Sequence, residues 1–441
     1  MTEPQRRRVH VLVGNPRTAA VLVTEDGGLP CLDLVVPDGG TTAQAVTAAL
    51  RARDIDRPLI DVILDQSDLP EGAPVGVVVQ IAAPAPLPGG WRWAPATEVV
   101  PPDDPPLREY VAARLDEWRG VRPVPPERSA WVEPGWYERV RQWVDDRLVE
   151  AGHGPSTEMV PFRVWGISAV FSVTSEGGRH WIKAVHPHFA AEPRVTARLA
   201  QLAPGAVPTV VAIEPDEGWL LLEHLDGTGV NEAGDPAGPF AALAALQRRF
   251  VGRGDELRAL GLPDRRLVSL VDEFREAVAM PLARDVLGAD AERSSALARG
   301  VAAGVDRVAA LGLPDTLLHG DFHPNNVTLH RDDVVVFDWS DAAIGNPIVE
   351  IGSWGSWLRD DPPALDHLWR CVAEAWAPTV DPEQVLAARP WAAAVVAAYH
   401  VVTYVHIARA LEPLRREEAL TGVRSFFADL VTALDAAAGA A

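Results

Sequence analysis

The sequence has little lysine and little cysteine. Lysine and arginine together number 40 in a chain of 441 residues, yet the only lysine is Lys183. The two cysteines, Cys31 and Cys371, lie far apart in the chain. Such spacing argues against a disulfide scaffold or a zinc site and favours free thiols in a reducing compartment. We therefore expect a cytoplasmic protein.

The chain also lacks long apolar segments and positive charge. It contains no run of about 18 apolar residues, so we expect no membrane span. Residues 1–8 are polar and lack the apolar stretch that a secretory signal needs. The formal net charge is −21, which disfavours nucleic acid or an anionic membrane as a partner because their phosphates would be repelled. This charge would suit a cationic ligand, but an acidic, well-solvated surface is the simpler explanation.

Length and composition predict a globular protein of two or three domains, with 48% hydrophobic and 23% charged residues. Residues 1–125 have the pattern of a separate α/β domain. Its predicted elements are a hairpin of strands 9–13 and 19–23, a helix at 42–53, and strands at 75–81 and 91–93. Proline-rich stretches at 83–88 and 101–106 mark the exit from this domain.

This order of strands and helix weakly resembles a degenerate Nudix fold. The predicted helix carries Ala-Ala-Leu-Arg-Ala-Arg-Asp at 48–54, where that family places several metal-binding glutamates. The resemblance therefore implies a non-catalytic accessory module. A linker with a helix at 135–151 is predicted to follow it over residues 126–154.

Lys183 lies in a predicted strand, 179–185, which pairs with strand 163–174 across the turn Ser175-Glu176-Gly177-Gly178. Arginine serves at every other cationic position, so a retained lysine favours a need for its compact ammonium group. A strand lysine that contacts nucleotide phosphates is central to kinase-type sites. The alternative is a surface lysine retained by chance.

A second motif decides between these readings. The segment His319-Gly320-Asp321-Phe322-His323-Pro324-Asn325-Asn326 places an asparagine five positions after an aspartate, and a predicted hairpin then leads to Asp338. The order and spacing resemble those of the aminoglycoside phosphotransferase and choline kinase family, protein-kinase-like enzymes that phosphorylate small molecules. The resemblance covers roughly residues 155–355.

The resemblance implies an α+β fold with a two-lobed, protein-kinase-like catalytic domain after the N-terminal domain. A small β-rich N-lobe is expected at 155–225, and a large helical C-lobe at 226–441. The C-lobe would contain the catalytic loop and the acceptor site. Helices are predicted there at 240–250, 267–278, 291–311 and 387–411.

The resemblance also implies ATP and Mg²⁺ as cofactors and assigns roles to the motif residues. Asp321 would be the catalytic residue that orients the acceptor hydroxyl. Asn326 and Asp338 would be the metal ligands, since Mg²⁺ prefers hard oxygen donors. His319 is predicted to be structural, and His323 structural or auxiliary.

The nucleotide-binding residues are predicted less directly. Glu192 shares a predicted helix face with Val195 and Leu199, and a carboxylate on an inward face is costly unless it is paired. This favours an ion pair with Lys183, and the alternative is that Glu192 merely lies in the first helical turn, where the helix dipole stabilises it. The turn that ends at Ser168 could cap a phosphate. The backbone near Glu223 and Leu225 would hold the adenine in the resembling family.

Two departures from the family pattern put the hydrogen-bond support of the catalytic loop in doubt. The sequence has Gly345-Asn346-Pro347 and Glu350-Ile351-Gly352 where the family has Gly-Asp-Pro and Asp-Leu-Ala. Asp341 could help to hold the metal, but capping the next turn is favoured. The many aromatic residues after position 352 are expected mainly in the core rather than against a ligand.

These patterns predict an ATP-dependent O-phosphotransferase that acts on a small-molecule hydroxyl. The acceptor classes implied are antibiotics such as aminoglycosides, sugars, nucleosides and amino alcohols. The arginine bias suits a GC-rich bacterium, in which an antibiotic-resistance role is one option. The alternative is a nucleotide-binding regulatory pseudokinase whose N-terminal domain senses a ligand, although a pure binder would not need Asp321.

Overall fold

The computed structural model of the protein describes residues 5–439 except 38–39, 56–58, 64–73, 81–88, 231–233 and 332. The proline-rich stretch at 83–88 lies outside these described residues. The chain forms two compact units. The first comprises Met1–His186, Trp219–Leu222 and Leu411–Arg415, and the second comprises Pro187–Gly218, Glu223–Ala410 and Arg416–Ala441.

The first unit begins with a six-stranded mixed sheet. Its strands are β1 (Gln5–Asn15), β2 (Ala20–Thr24), β3 (Cys31–Val36), β4 (Leu59–Ile63), β5 (Pro74–Gln80) and β6 (Trp91–Pro95). They lie in the order β4-β5-β1-β2-β6, and β3 pairs with the first half of β1. Strands β1 and β5 run parallel to each other. Both contain several buried valines, which is typical of a central strand pair.

Three helices accompany this sheet in the first unit: α1 (Thr42–Arg51), α2 (Pro105–Trp118) and α3 (Trp136–Glu150). Thr41 and Gln44 form a capping box that starts α1, and Asp104 caps α2 by accepting a hydrogen bond from the Leu107 amide at 3.0 Å. The hairpin, the helix and the two further strands predicted for residues 1–125 are therefore present. The Nudix resemblance stays a prediction.

The first unit continues with β7 (Ser156–Val164), β8 (Ser168–Ser175) and β9 (Gly178–Val185), followed by β10 (Val210–Glu214) in the second unit and then β11 (Trp219–Glu223). Residues 168–174 of the predicted strand 163–174 lie in β8 as expected, whereas residues 163–164 belong to β7. A turn at 165–167, closed by a hydrogen bond from the Trp165 amide to the Ser168 carbonyl at 3.0 Å, divides it between β7 and β8. The predicted pairing of β8 with β9 is confirmed.

Helix α1 packs on β7 within the first unit. The Thr41 hydroxyl donates to the Phe162 carbonyl at 2.5 Å, and Arg51 pairs with Glu158 at 2.6 Å. A hydrogen bond and an ion pair thus join α1 to β7, the strand that precedes the β8–β9 hairpin with Lys183.

The second unit is mainly helical. Its helices are α4 (Glu192–Leu202), α5 (Ala237–Arg248), α6 (Gly254–Ala259), α7 (Leu267–Ala279), α8 (Pro281–Leu287), α9 (Ser294–Ala309), α10 (Ile351–Trp357), α11 (Pro362–Ala375), α12 (Pro382–Ala387), α13 (Arg389–Ala410) and α14 (Glu417–Gly439). Its short strands are β12 (Thr228–Gly229), β13 (Thr316–Leu318), β14 (Val327–His330), β15 (Asp333–Val336) and β16 (Ala343–Gly345). The predicted helices are present, with α9 beginning three residues later than expected because a 3₁₀ turn at Gly288–Arg293 precedes it.

Helix α13 is the central helix of the second unit and packs against α7, α9 and α14. It is long and apolar enough to cross a membrane by length and composition, but 72% of its apolar window is buried in the structure. Burial of this kind is typical of a core helix. Trp354, Trp369, Trp376 and Tyr399 are buried in the same core, as predicted for most of the aromatic residues after 352.

A sheet-rich first unit and a helical second unit confirm the predicted α+β fold class. The predicted divisions at residues 125, 154 and 225 stay a prediction.

Candidate active site

The loop that follows β13 is shaped by Gly320. This residue has φ +84°, and a Cβ atom there would lie 2.2 Å from the Asp341 carbonyl oxygen. A side chain is excluded both by the backbone conformation and by this close approach. The glycine of the His-Gly-Asp triplet therefore lets the loop turn against the segment that follows Asp338.

His319 fastens the same loop from inside. Its side chain is fully buried, Nδ1 accepts a hydrogen bond from the Asp321 amide at 3.3 Å, and Nε2 lies 3.0 Å from the Phe337 carbonyl. Burial lowers its pKa, so the ring is neutral and carries its proton on Nε2. The ring joins the loop to the end of β15, which is the structural role predicted for it.

Glu350 supplies the support that the sequence had put in doubt. Its carboxylate accepts hydrogen bonds from the His319 amide at 2.6 Å, the Gly320 amide at 3.2 Å and Gln247 Nε2 at 2.8 Å. Burial raises the pKa of Glu350 to about 7, although these three donors oppose the shift. Glutamate in place of aspartate at this position thus still holds the loop at His319 and Gly320.

Asp321 is placed at the surface of this loop, with its side chain 39% exposed. His323 Nδ1 accepts the Asn325 amide at 3.2 Å, so the ring proton sits on Nε2, 3.4 Å from an Asp321 carboxylate oxygen. Desolvation would raise the pKa of Asp321, but the hydrogen bond and electrostatic attraction of His323, together with a hydrogen bond from Ser353, outweigh it and hold the pKa well below its ordinary value. The carboxylate is therefore ionised and able to accept a further hydrogen bond.

Asn326 and Asp338 are brought together by the β14–β15 hairpin. The Phe337 amide donates to the Asn326 carbonyl at 3.0 Å, so Asp338 follows directly beside Asn326. Asn326 Nδ2 donates to the Asp321 carbonyl at 2.9 Å, which leaves Oδ1 as the acceptor atom of that amide. Asp338 has φ +63° and accepts a hydrogen bond from the Ser340 hydroxyl. A non-glycine residue in this left-handed region is uncommon and typical of functional positions.

The predicted nucleotide-binding residues are distributed over the two units. Lys183 lies on β9 opposite Val170 and Ser168 begins β8, both in the first unit. Ser168 Oγ accepts a hydrogen bond from the Trp165 indole at 2.8 Å. In the second unit, buried Glu192 opens α4, Glu223 ends β11, and Leu225 follows it. The proposed pair of Lys183 with Glu192 stays a prediction.

Sequence reasoning did not find three residues of this site. Gln247 donates to Glu350, Ser353 is one of the groups that lower the pKa of Asp321, and His400 Nε2 lies 3.5 Å from the Ser353 hydroxyl. One signal was available in Gly352, where a Cβ atom would lie 2.1 Å from His400 Cε1. Glycine in place of the family's alanine therefore makes room for the His400 ring.

The sequence profile of the Phosphotransferase enzyme family matches residues 161–403, more than half of the chain. The chain therefore belongs to the Phosphotransferase enzyme family. Membership confirms the prediction of a small-molecule kinase, a phosphotransferase with an alcohol group as acceptor. No curated protein matches the sequence.

Several solved structures are similar to the chain. A choline/ethanolamine kinase family protein from Mesorhizobium loti is 17% identical with a TM-score of 0.45, and the match covers 68% of this chain and 98% of that one. A macrolide 2'-phosphotransferase from Brachybacterium faecium is 17% identical with a TM-score of 0.42, covering 65% and 98%. A choline kinase from Streptococcus pneumoniae is 12% identical with a TM-score of 0.43, covering 65% and 99%.

Proposed function

We propose that this protein transfers the γ-phosphate of ATP to a hydroxyl group of a small molecule. The observation that carries the proposal is the Asp321 carboxylate, which is partly exposed and held in its ionised form by His323 and Ser353. A phosphoryl acceptor must present its hydroxyl oxygen in line with the phosphate. An ionised carboxylate that accepts the hydroxyl hydrogen supplies that orientation.

We propose Asn326 and Asp338 as the ligands of Mg²⁺. The oxygen donors fit this ion, because Asn326 uses its Nδ2 for the loop and presents Oδ1, and Asp338 follows it in the hairpin. When bound, the metal neutralises charge on the phosphate oxygens. The short hydrogen bond from Ser340 orients one oxygen of Asp338.

On the nucleotide side, we propose that Lys183 contacts the phosphates, that Glu192 positions Lys183, and that Ser168 and its turn cap a phosphate. The backbone of Glu223 and Leu225 would hold the adenine. The burial of Lys183 and Glu192, 9% and 2% exposed, supports a paired rather than a solvated role for each.

The acceptor hydroxyl belongs to an antibiotic such as an aminoglycoside, a sugar, a nucleoside or an amino alcohol. Trp357 is 42% exposed and stacks on His323 with 5.6 Å between ring centroids, next to Asp321. An exposed aromatic face beside a carboxylate suits a sugar ring or a cationic group. Both cysteines are free thiols, which supports the proposal that the enzyme acts in a reducing cytoplasm.

The test is ADP release in the presence of ATP and Mg²⁺ against a panel of aminoglycosides, other hydroxylated antibiotics, sugars, nucleosides and amino alcohols. Acceptor-dependent ADP release that is lost in Asp321→Asn supports the proposal and identifies the acceptor class. If ATP binds tightly, no acceptor stimulates turnover and the variant behaves as the wild type does, a regulatory pseudokinase replaces it.

A further inference from the structure

A group of three side chains with metal-binding atoms lies in the second unit, where the start of α5 meets α11. We call Asp235, His367 and Cys371 the α11 donor cluster. His367 and Cys371 are four residues apart on α11 and therefore point to the same side of that helix. Asp235 precedes α5 and is fixed there because its carboxylate also accepts the Ala237 amide at 3.0 Å.

The donor atoms of this cluster converge on one nitrogen. His367 Nε2 lies 3.0 Å from an Asp235 carboxylate oxygen and 3.5 Å from the Cys371 sulfur. All three potential ligand atoms lie within 4.8 Å of one another. A hydrogen bond from His367 to Asp235 explains the first distance, and the spacing of one helical turn on α11 brings the sulfur to the same nitrogen.

Two of the three distances are close to those of a tetrahedral metal site. With zinc–sulfur and zinc–nitrogen bonds of about 2.3 and 2.0 Å, two ligand atoms at a tetrahedral angle stand roughly 3.3 to 3.6 Å apart. The separation of sulfur from nitrogen lies in this range, and that of nitrogen from oxygen lies slightly below it. The sulfur and the Asp235 oxygen lie within 4.8 Å of each other.

Burial and charge are arranged to receive a cation from solvent. Cys371 is 3% exposed, whereas the side chains of His367 and Asp235 are 50% and 69% exposed. The sulfur is therefore the buried member of the cluster, and His367 and Asp235 are its solvent-exposed members. Burial first, and then the negative charges of Asp235 and Glu374, raise the pKa of the Cys371 thiol to about 11, so a bound cation would have to displace its proton.

We propose that the α11 donor cluster binds a thiophilic divalent cation of the zinc class. Cys371 would bind as thiolate and His367 through Nε2, with Asp235 as the third ligand and one position left for water. A bound ion would join the start of α5 to α11, and its binding would stabilise this pairing of helices. The proposal is independent of the phosphotransfer chemistry.

The wide separation of the two cysteines in the sequence led us to expect no zinc site. That argument applies to sites built from several cysteines. It misses a site in which one cysteine is joined by a histidine one helical turn earlier and by an aspartate 132 positions away from that histidine.

The experiment uses the full chain, without an affinity tag and kept reduced, titrated with Co²⁺ alone as a spectroscopic probe and with Zn²⁺ alone as competitor. A cobalt–thiolate charge-transfer band that saturates at one ion per chain and disappears on addition of Zn²⁺ is the expected result. Cys31→Ser is the matched control, since Cys31 is the other thiol and is exposed.

The variants distinguish this site from adventitious binding. The band should persist in Cys31→Ser, vanish in Cys371→Ser, and require cobalt concentrations on the order of 100-fold higher in His367→Gln and Asp235→Asn. The two surface variants guard against misfolding of the buried one, and all should keep the circular dichroism of the wild type. A band that survives in Cys371→Ser, or no band in the wild type at millimolar cobalt, overturns the proposal.

Discussion

The two units bury charged groups in contrasting ways. In the first unit the buried carboxylates are matched by arginines: Arg114 lies 3.0 Å from Asp61, and Arg128 lies 2.8 Å from both Glu117 and Glu412. Arg415 adds a further contact to Asp61 at 3.4 Å. Guanidinium forks satisfy several carboxylate oxygens at once, which makes arginine suited to such clusters.

In the second unit the carboxylates of the candidate active site are held by backbone amides and by side chains other than arginine. Glu350 accepts from two backbone amides and a glutamine, and Asp321 accepts from His323 and Ser353. The contacts of Asp321 lower its pKa and keep it ionised, whereas burial raises the pKa of Glu350 to about 7. The negative charge of Asp321 is therefore available to a ligand. The buried carboxylates of the first unit are instead paired with arginines of the same unit.

The contrast predicts which residues contribute mainly to stability and which contribute mainly to activity. Loss of a charge from the arginine-matched cluster should cost stability, because the partner charges remain buried and uncompensated. Loss of a charge from the donor-held site should cost activity first. The predictions below test this division, beginning with the largest expected effect.

Asp321→Asn should lower kcat by about 10³-fold, since an amide is a poor acceptor for the hydroxyl hydrogen of the substrate. Its unfolding free energy should change little, because the side chain is 39% exposed and the loop is held by His319 and Glu350. Steady-state kinetics with the best acceptor and urea unfolding of the same preparation measure both quantities. A large loss of stability with modest loss of rate would reverse the division between the units.

Arg128→Ala should destabilise the protein by about 3 kcal/mol, because it leaves two buried carboxylates without their shared partner. Arg128→Lys should recover part of this loss, since lysine keeps the charge but not the fork. Urea unfolding followed by circular dichroism gives the comparison.

Arg424→Ala is the matched control for Arg128→Ala. Arg424 also pairs with a glutamate, Glu417, at 2.9 Å, but its side chain is 46% exposed. An exposed pair contributes at most about 1 kcal/mol. If the two alanine variants were equally stable, the buried cluster would not be the stabilising feature that its geometry indicates.

The difference between the two clusters also explains what the sequence could reveal. The motif residues from His319 to Asn326 are close in sequence, so their spacing alone predicted the loop and its hairpin. Val327–Val336 alternates and turns as a hairpin should, and the structure has β14 and β15 there. Patterns formed by neighbouring residues can be recognised in the sequence alone, and they predict the secondary structure of that segment.

Contacts between distant residues carried no such signal. Gln247 reaches Glu350 over 103 positions, and Arg128 reaches Glu412 over 284. A glutamate or arginine at these positions looks like any surface charge until the fold is known. The turn that ends at Ser168 was recognised from its single glycine, but the hydrogen bonds from Trp165 to Ser168 that close it are visible only in the structure.

Glu350→Gln tests the donor-held site through its pH dependence. The folded pKa of Glu350 is raised to about 7, so the native state keeps a proton that the unfolded chain has released. This group's contribution is therefore present below its unfolded pKa of about 4.5 and is lost as pH rises towards 7. The stability advantage of the wild type over Glu350→Gln should shrink over this window by up to about 3 kcal/mol.

The difference between wild type and variant is the useful quantity in that experiment, because other groups titrate over the same range. His400, whose pKa burial lowers to about 4, acts in the opposite direction and destabilises the fold as pH falls below about 6.5. It is present in both proteins and cancels in the difference. An advantage that grows with pH would mean that the donors, rather than burial, dominate at Glu350.

The smallest expected effect, and the sharpest test of orientation by neutral donors, is Ser353→Ala. The Ser353 hydroxyl is one of the donors that lower the pKa of Asp321, so its removal should raise that pKa. The acid limb of the profile of kcat/KM against pH should move to higher pH, while the rate near neutrality falls by less than about tenfold.

Ser356→Ala is the control. Its hydroxyl donates to the Ser353 carbonyl at 2.7 Å, so it belongs to the same helix without donating to Asp321. A shifted limb in Ser353→Ala alone would attribute the ionised state of Asp321 to a neutral hydroxyl donor. Identical profiles for both variants would leave His323 as the donor that controls Asp321.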